Sequence, residues 1–244
     1  MLPSSNQTSL TNNTSSSSAS SGSESAAISY SSYETSPTNF NPLIARNIVN
    51  FLKIVSKLKH TLRTGWVDCK VQHPESIASH MYRMGIISML TRNQPNIDTD
   101  KCIKMSLVHD LSEAIAGDIT PHAGVSKEEK YRLEREAIER MRSTLLEGVN
   151  GTDKESEEYI QTVNEMLNLW QEYEDGTTPE AIIMKDIDRF DMVLQALEYE
   201  TEQNLHLKTF YESTKGSFQT DMFKTLMKEV YAQKDKLEDQ RRNK

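Results

Sequence analysis

Four ionisable side chains, two imidazoles and two carboxylates, occupy positions where a helical pattern would normally place packing residues. His80 shares a helical face with Ile77, His109 is followed directly by Asp110, and Asp188 falls on an apolar stripe. An unpaired carboxylate in such surroundings carries a large desolvation cost, which a bound cation would remove. Two imidazoles and two carboxylates form a suitable ligand set for Mn²⁺, Co²⁺, Fe²⁺ or Zn²⁺.

A third carboxylate lies close by in the sequence. Glu113 comes four residues after His109 and three after Asp110, so a continuous helix would place all three on one side. No cysteine accompanies these residues, which argues against a closed structural zinc site. An open site with nitrogen and oxygen ligands is typical of metal-assisted hydrolysis.

Each of these residues also has an ordinary interpretation when it is taken alone. His80 could be a hydrogen-bonded core histidine, and Asp188 could form a cap or pair with Arg189 or Lys185. An adjacent His-Asp pair is common by chance. The ordered set of His, His-Asp and a distant Asp, each on a separate predicted helix, favours the metal-site hypothesis.

The elements that must position these residues are predicted to be helices. From Pro42 onward the apolar residues repeat at helical spacing, and alternating strand-like runs are almost absent. A capping box at Ser126 and a proline at position 179 mark two of the helix starts. We predict an all-α bundle with a loop at about 61–74 and helices at about 44–58, 75–91, 98–116, 126 onward, 154–173, 178–202 and 219–238.

Composition limits the domain organisation and the partners. More than half of the first forty residues are Ser, Thr or Asn, so we expect residues 1–40 to be a disordered tail and residues 41–240 to form one domain. The net charge of −8 argues against a nucleic-acid partner, because an acidic chain repels a polyphosphate backbone. No apolar run is long enough for a membrane span, and no secretory signal is recognisable. With Cys69 and Cys102 as its two cysteines, the chain fits the cytoplasm, with the nucleus also open.

The order of the four residues resembles a known signature. His80, His109-Asp110 and Asp188 match the H…HD…D pattern of the HD-domain phosphohydrolases. The surrounding segments 74–84, 107–113 and 117–121 look like the branch that acts as 5′-deoxynucleotidases. The chain resembles the eukaryotic HD domain-containing protein 2 group closely and the bacterial YfbR type more distantly, over about residues 43–235.

The resemblance implies a role for each matched residue. Glu113 would orient or deprotonate the attacking water. Asp118 and the backbone at Ile119 would border the substrate and, with Glu113, hold a second cation such as Mg²⁺, although Asp118 could instead cap a turn after Gly117. Relatives of this branch form homodimers, so a homodimer is expected. The catalytic divalent metal, Mn²⁺ or Co²⁺, would be held by His80, His109, Asp110 and Asp188.

A loop with the sequence Arg63-Thr64-Gly65-Trp66 supplies two further candidate substrate-binding residues. Arg63 could donate two hydrogen bonds to phosphate oxygens, and Trp66 offers a flat face beside a sugar or base. Trp66 could equally cover the core. The bacterial relatives place their Arg and Trp side by side, whereas two residues separate them here, which leaves the role of Arg63 less closely matched than the metal set.

The resemblance implies that the substrate is a small molecule, a deoxyribonucleoside 5′-monophosphate, which is hydrolysed to the nucleoside and phosphate. One alternative keeps the metal and changes the substrate, as in a pyrophosphohydrolase of the guanosine-tetraphosphate type or a cyclic-nucleotide phosphodiesterase. A second alternative is a catalytically silent binding module whose metal only holds helices together. Glu113 beside the predicted ligands counts against the silent module, because a structural site does not need that carboxylate.

Overall fold

The computed structural model describes residues 40–243, so the prediction of a disordered tail over residues 1–40 concerns a segment that lies almost wholly outside the described residues. Within 40–243 the backbone is helical, and the β pairing there is limited to one isolated antiparallel bridge between Leu62 and Ser76. The prediction of an all-α fold is confirmed. No helix in this range is both long enough and apolar enough to cross a membrane.

The helices follow one another through short connections, and a short 3₁₀ turn, Ser56–Lys59, continues the first of them. The ten α-helices of the described residues are α1 (Pro42–Val55), α2 (Thr64–Asp68), α3 (Ile77–Met89), α4 (Thr99–Ser106), α5 (Glu113–Ala116), α6 (Lys127–Leu145), α7 (Lys154–Asp175), α8 (Pro179–Gln203), α9 (Lys208–Ser213) and α10 (Asp221–Arg242).

Side-chain caps explain where most of the long helices begin. An oxygen of the residue before the helix accepts a backbone N–H of the first turn, which would otherwise lack a partner. Ser126 does this for Glu129 at the start of α6, and Thr178 does it for Ala181 at the start of α8. Both predicted helix starts are therefore confirmed. The other caps of this kind are Asn41, Ser76, Asp98 and Asp153.

Two short helices were missed by the sequence analysis. The predicted loop at 61–74 contains α2, and the segment before α10 contains α9. Helices of five or six residues are too short to show a period, and isolated helices of this length are unstable in water. The first turn of α2 is held from outside, because the backbone N–H of Thr64 donates to Asp118 Oδ2 at 2.6 Å.

The predicted continuous helix at 98–116 is wrong. The chain leaves α4 at Ser106 and re-enters a helix, α5, only at Glu113. Between them the backbone tightens, since Leu107, Val108, Leu111 and Glu113 each donate to the carbonyl three residues earlier rather than four. His109 and Asp110 therefore lie on a tight turn, and their directions are set by that turn and not by a helical face shared with Glu113.

The longest helix, α8, lies at the centre of the bundle. It packs against α3, α4, α7, α9 and α10 and is buried around most of its circumference. Its fully buried positions include Ala181, Met184 and Ile187. The side chains of α3, of the α4–α5 turn and of α8 meet on one side of this core, and there the predicted ligands lie.

Candidate metal centre

The four predicted metal ligands converge on one point. His80 Nε2 lies 3.3 Å from Asp188 Oδ1 and 3.8 Å from Asp110 Oδ2, and His109 Nε2 lies 3.2 Å from the same Asp110 oxygen. One donor atom each of His80, His109 and Asp188 lies within 4.8 Å of the others. Such separations suit ligands around an ion whose bonds are about 2.0–2.2 Å long.

The polar atoms that face this point lack partners. Buried polar atoms in folded proteins nearly always have a hydrogen bond, because leaving one unmade is costly. In the part of the chain that the structure describes, five buried side-chain atoms have none. One is Asn47 Oδ1, and the other four belong to this cluster: His80 Nε2, His109 Nε2, Asp110 Oδ2 and Glu113 Oε2. A divalent cation could accept lone pairs from these atoms, so the residues present fit a metal.

The opposite nitrogen of each imidazole is already engaged. His80 Nδ1 lies 2.7 Å from Asp191 Oδ2, and His109 Nδ1 lies 3.0 Å from the carbonyl oxygen of Ser106. Both partners are acceptors, so each Nδ1 carries the hydrogen and donates it. In a neutral ring this leaves the Nε2 lone pair facing the candidate site, which is the form that binds metal.

The electrostatics of the cluster favour positive charge. Burial and Arg63 lower the pKa of His80, but the adjacent carboxylates of Asp188 and Asp191 outweigh them and raise it to about 9. The pKa of Asp188 lies well below its usual range, because contacts with His80 outweigh the effect of burial. A field that holds a proton on an imidazole also attracts a divalent cation, which competes with that proton for Nε2.

Glu113 lies at the same cluster, but its pKa is shifted in the opposite direction from that of Asp188. Its side chain is buried, and burial together with the negative charges of Asp110 and Asp118 raises its pKa well above the usual value. A carboxyl group with a raised pKa exchanges its proton closer to neutral pH, as a general acid or base must. The structure thus brings Glu113 to the predicted ligands even though no continuous helix carries it there.

The cluster lies at the wall of a cavity of about 690 Å³, a volume suited to a small molecule. Arg63 enters from the side, with Nη1 3.6 Å from Asp110 Oδ2. Asp118, Ile119 and the segment up to His122 form another part of the lining. Arg63 and Asp118 thus reach the same cavity as the candidate ligands.

Asp118 also has a structural task that was not predicted. Its Oδ2 accepts the backbone N–H of Thr64 at 2.6 Å, and its carbonyl oxygen accepts the Thr64 hydroxyl at 2.9 Å. It therefore fastens the loop after α5 to the start of α2 and fixes the backbone next to Arg63. The turn that Asp118 caps is that of α2, rather than a turn after Gly117.

Trp66 is not available as an open stacking face. Its side chain is 1% exposed, and its ring stacks on Phe210 with the centroids 4.2 Å apart. The edge of Tyr199 approaches it, and its Nε1–H donates to Glu75 at 3.0 Å. The packing interpretation of this tryptophan is therefore the better one, because its polar and apolar surfaces are already in contact with protein.

Three residues that surround the ligands were missed from the sequence. Asp191 accepts from His80, Arg83 binds Asp191, and the Tyr173 hydroxyl donates to Asp188 Oδ2 at 2.8 Å. A spacing could have revealed two of them: Arg83 follows His80 by three residues, and Asp191 follows Asp188 by three. Positions three apart share a helical face, so helices that join at the first pair also join at the second.

A helical bundle with imidazoles and carboxylates converging beneath a small-molecule cavity has the features of a metal-dependent hydrolase. The family model described as the HD domain matches residues 55–231. The chain is 43% identical to the 5′-deoxynucleotidase HDDC2 of Dictyostelium discoideum over 192 residues, which cover 74% of this chain and 94% of that protein. It is 37% identical to the human protein of the same name over 201 residues, covering 82% of this chain and 92% of that one.

Solved structures lead to the same fold. The PH0347 protein from Pyrococcus horikoshii OT3 superposes with a TM-score of 0.58 at 29% identity, covering 76% of this chain and 97% of that one. The HD domain-containing protein YGK1 (YGL101W) gives a TM-score of 0.59 at 29% identity, covering 79% and 88%. This chain belongs to the HD domain family, as the H…HD…D signature predicted.

Proposed function

We propose that this protein hydrolyses deoxyribonucleoside 5′-monophosphates to the deoxynucleoside and inorganic phosphate. The observation that carries the proposal is the convergence of His80, His109, Asp110 and Asp188 next to a cavity that His109, Asp110 and Asp188 line, with ligand atoms that lack hydrogen bonds. The shared name of the relatives supports the substrate class.

The roles of the chain's own residues follow from where they lie. The four converging side chains would hold a divalent cation, Mn²⁺ or Co²⁺, which when bound lowers the pKa of a water molecule and polarises a phosphoryl oxygen. Glu113 would orient the attacking water and accept its proton. As the new O–P bond forms, the bond from phosphorus to the 5′-oxygen breaks, and that oxygen takes up a proton from solvent while Glu113 later releases the one that it accepted.

Arg63 would stabilise the charge on the phosphoryl oxygens. Its guanidinium group lies beside Asp110 at the edge of the cavity, where it can donate to an anionic substrate. Asp118 would keep Arg63 in place through Thr64 and border the substrate together with Ile119. As part of the same proposal, Glu113, Asp118 and the carbonyl oxygen of Ile119 would hold a second cation such as Mg²⁺.

We also propose that the protein is a homodimer and that it is located in the cytoplasm, with the nucleus as the alternative location. The family resemblance supports the homodimer. The location is supported by Cys69 and Cys102, neither of which forms a disulfide.

The test is phosphate release from matched pairs of deoxyribo- and ribonucleoside 5′-monophosphates, with Mn²⁺, Co²⁺ and Mg²⁺ compared. We expect release from the deoxy substrates and its loss with a chelator. Guanosine tetraphosphate and cyclic nucleotides belong in the same panel, because turnover of either in place of the monophosphates would favour the alternative HD-type hydrolases. Failure to release phosphate from any ester, with metal-dependent melting retained, would favour the silent binding module.

The role of Glu113 is tested by Glu113→Gln, which keeps the shape of the side chain and removes its basicity. Loss of a general base lowers kcat by roughly 10²–10⁴-fold, and we expect metal binding to persist. Glu165→Gln is a matched control, since Glu165 pairs with Lys104 at the exposed surface. Near-normal activity of Glu113→Gln would contradict the assignment.

A further inference from the structure

A buried aspartate stands behind one of the candidate ligands, on the side away from the cavity. Asp191 is 0% exposed, and its Oδ2 accepts the Nδ1–H of His80 at 2.7 Å. Because His80 Nε2 faces Asp188 and Asp110, the ring is held between carboxylates on both of its nitrogens. Its rotation is thereby restricted.

Arg83 holds Asp191 in turn. Its Nε donates to Asp191 Oδ1, its Nη2 donates to the Asp191 carbonyl oxygen at 3.2 Å, and its Nη1 donates to Glu198 at 2.7 Å. A guanidinium group bound through two of its nitrogens to one residue fixes both position and charge. The carboxylate that accepts the His80 Nδ1–H is therefore held in one orientation.

The other charged group near this contact does not replace Asp191. Glu75 has an oxygen within 4.8 Å of the His80 and Asp191 donor atoms, but its Oε1 accepts the Trp66 Nε1–H at 3.0 Å. Burial is the largest influence on the pKa of Glu75 and raises it. Asp191 is thus the carboxylate that is hydrogen-bonded to the imidazole.

Helical spacing links the candidate metal ligands to the residues behind them. His80 and Arg83 lie three residues apart on α3, and Asp188 and Asp191 lie three residues apart on α8. When the two helices pack, one pair forms the candidate metal site and the other pair forms the support behind it.

We propose that Asp191, held by Arg83, is a positioning residue that fixes the Nδ1–H tautomer of His80 and directs Nε2 at the candidate metal site, and so sets its affinity for the metal. This inference rests on the metal site of the proposed function. Removing such an outer hydrogen bond typically weakens metal affinity by about 10–100-fold. The alternative is a buried ion pair that only stabilises the fold.

The test is a direct titration of Mn²⁺ and Co²⁺ into the purified protein after its metal has been removed with a chelator. Binding is measured by calorimetry and by the Co²⁺ absorption spectrum. For Asp191→Asn we expect the metal Kd to rise by about 10–100-fold and the Co²⁺ spectrum to change. Asp191→Glu should recover part of the affinity. Activity at low Mn²⁺ should fall with the affinity and return at saturating Mn²⁺.

The structure offers a closely matched control. Asp186 is the same residue type on the same helix and is also 0% exposed, but it caps the start of α10 through Thr220. We expect Asp186→Asn to lower stability and leave the metal Kd within about twofold, the reverse of the Asp191 pattern. Equal effects of the two variants on metal affinity would overturn the proposal.

If Asp191→Asn does not fold, Arg83→Lys provides a second test. It keeps a positive charge near Asp191 but removes the pair of hydrogen bonds that Arg83 Nε and Nη2 donate to that residue. We expect a weaker metal Kd for it as well, and an unchanged Kd would contradict the inference. Because the titration does not depend on turnover, a protein that binds metal as described but releases no phosphate would refute the proposed function while leaving this inference standing.

Discussion

Three carboxylates on α8 lie against the bundle but differ in their partners, and the side chain of Asp188, which is 30% exposed, is more open than those of Asp186 and Glu200. Asp186 and Glu200 are 0% exposed and fully engaged with the protein. Asp186 accepts from Gln219 N–H and from Thr220 N–H and Oγ1, and Glu200 accepts from Leu207 N–H, Tyr211 Oη and Lys234 Nζ. Asp188, between them in sequence, instead belongs to the cluster in which four buried atoms lack partners.

The difference teaches that burial and cavity size do not by themselves locate the chemistry. Glu200 borders a groove of about 950 Å³ between α9 and α10, which is larger than the cavity at the candidate metal centre. The charges there are already paired, so nothing at Glu200 calls for a cation. At Asp188 the protein leaves donor atoms without partners, and such atoms indicate a ligand.

The largest expected effect tests whether Glu200, unlike Asp188, has only a structural role. Glu200→Ala leaves Lys234, Tyr211 Oη and Leu207 N–H without their shared acceptor, and breaking a buried pair costs about 3–5 kcal/mol of stability. We expect this loss in urea unfolding, with kcat per folded molecule unchanged. Glu212→Ala, which breaks an exposed pair with Lys208, should cost less than about 1 kcal/mol. A fall in kcat with stability intact would assign Glu200 to the site.

A second prediction concerns the response to metal. If donor atoms without partners mark the binding point, Mn²⁺ at a hundred times its Kd should add about 2.7 kcal/mol to the free energy of unfolding. We expect this increment to disappear in His109→Ala and to persist in Glu200→Gln, as measured by melting with and without a chelator. An increment that survives in His109→Ala would place the metal elsewhere.

Much of this arrangement was accessible from the sequence because long helices carry strong patterns. The caps at Ser126 and Thr178 and the apolar face of α8 were read correctly, and the order of His80, His109-Asp110 and Asp188 led to the right family. These signals are local or are carried by the spacing of a few residues.

What was missed depends on tertiary contacts. The break between α4 and α5 has helix-forming residues on both sides, and α2 begins where Asp118, 54 residues away, accepts the N–H of Thr64. The sequence left open whether Trp66 lies beside the substrate or covers the core, and its stacking on Phe210 favours the second interpretation. For α2 and for Trp66 the deciding partner lies far along the chain, so no local pattern predicts the contact.

The third prediction uses the buried Glu113, whose Oε2 has no partner among residues 40–243. Its pKa is higher in the folded protein than the ordinary value of 4.5, so the folded state binds more protons above that pH and loses stability as the pH rises. Glu113→Gln lacks this dependence. In chelator, we expect the stability difference to shift in favour of the variant as the pH rises from 5 to 8, as measured by urea unfolding. If the stability difference between the variant and the wild type does not change with pH, the pKa of Glu113 is not raised in the folded protein.

The smallest expected effect comes from Tyr173, whose hydroxyl donates to Asp188 Oδ2 at 2.8 Å. Burial raises the pKa of this phenol well above its usual value, so it stays neutral and acts as a donor at any working pH. Tyr173→Phe removes one hydrogen bond worth about 0.5–1.5 kcal/mol, which corresponds to a roughly 2–10-fold weaker metal Kd. Tyr159→Phe, whose hydroxyl reaches the Leu145 carbonyl instead, should leave the metal Kd unchanged. If both variants bind Mn²⁺ alike, the hydrogen bond to Asp188 belongs with the structural contacts of Asp186 and Glu200 rather than with the metal site.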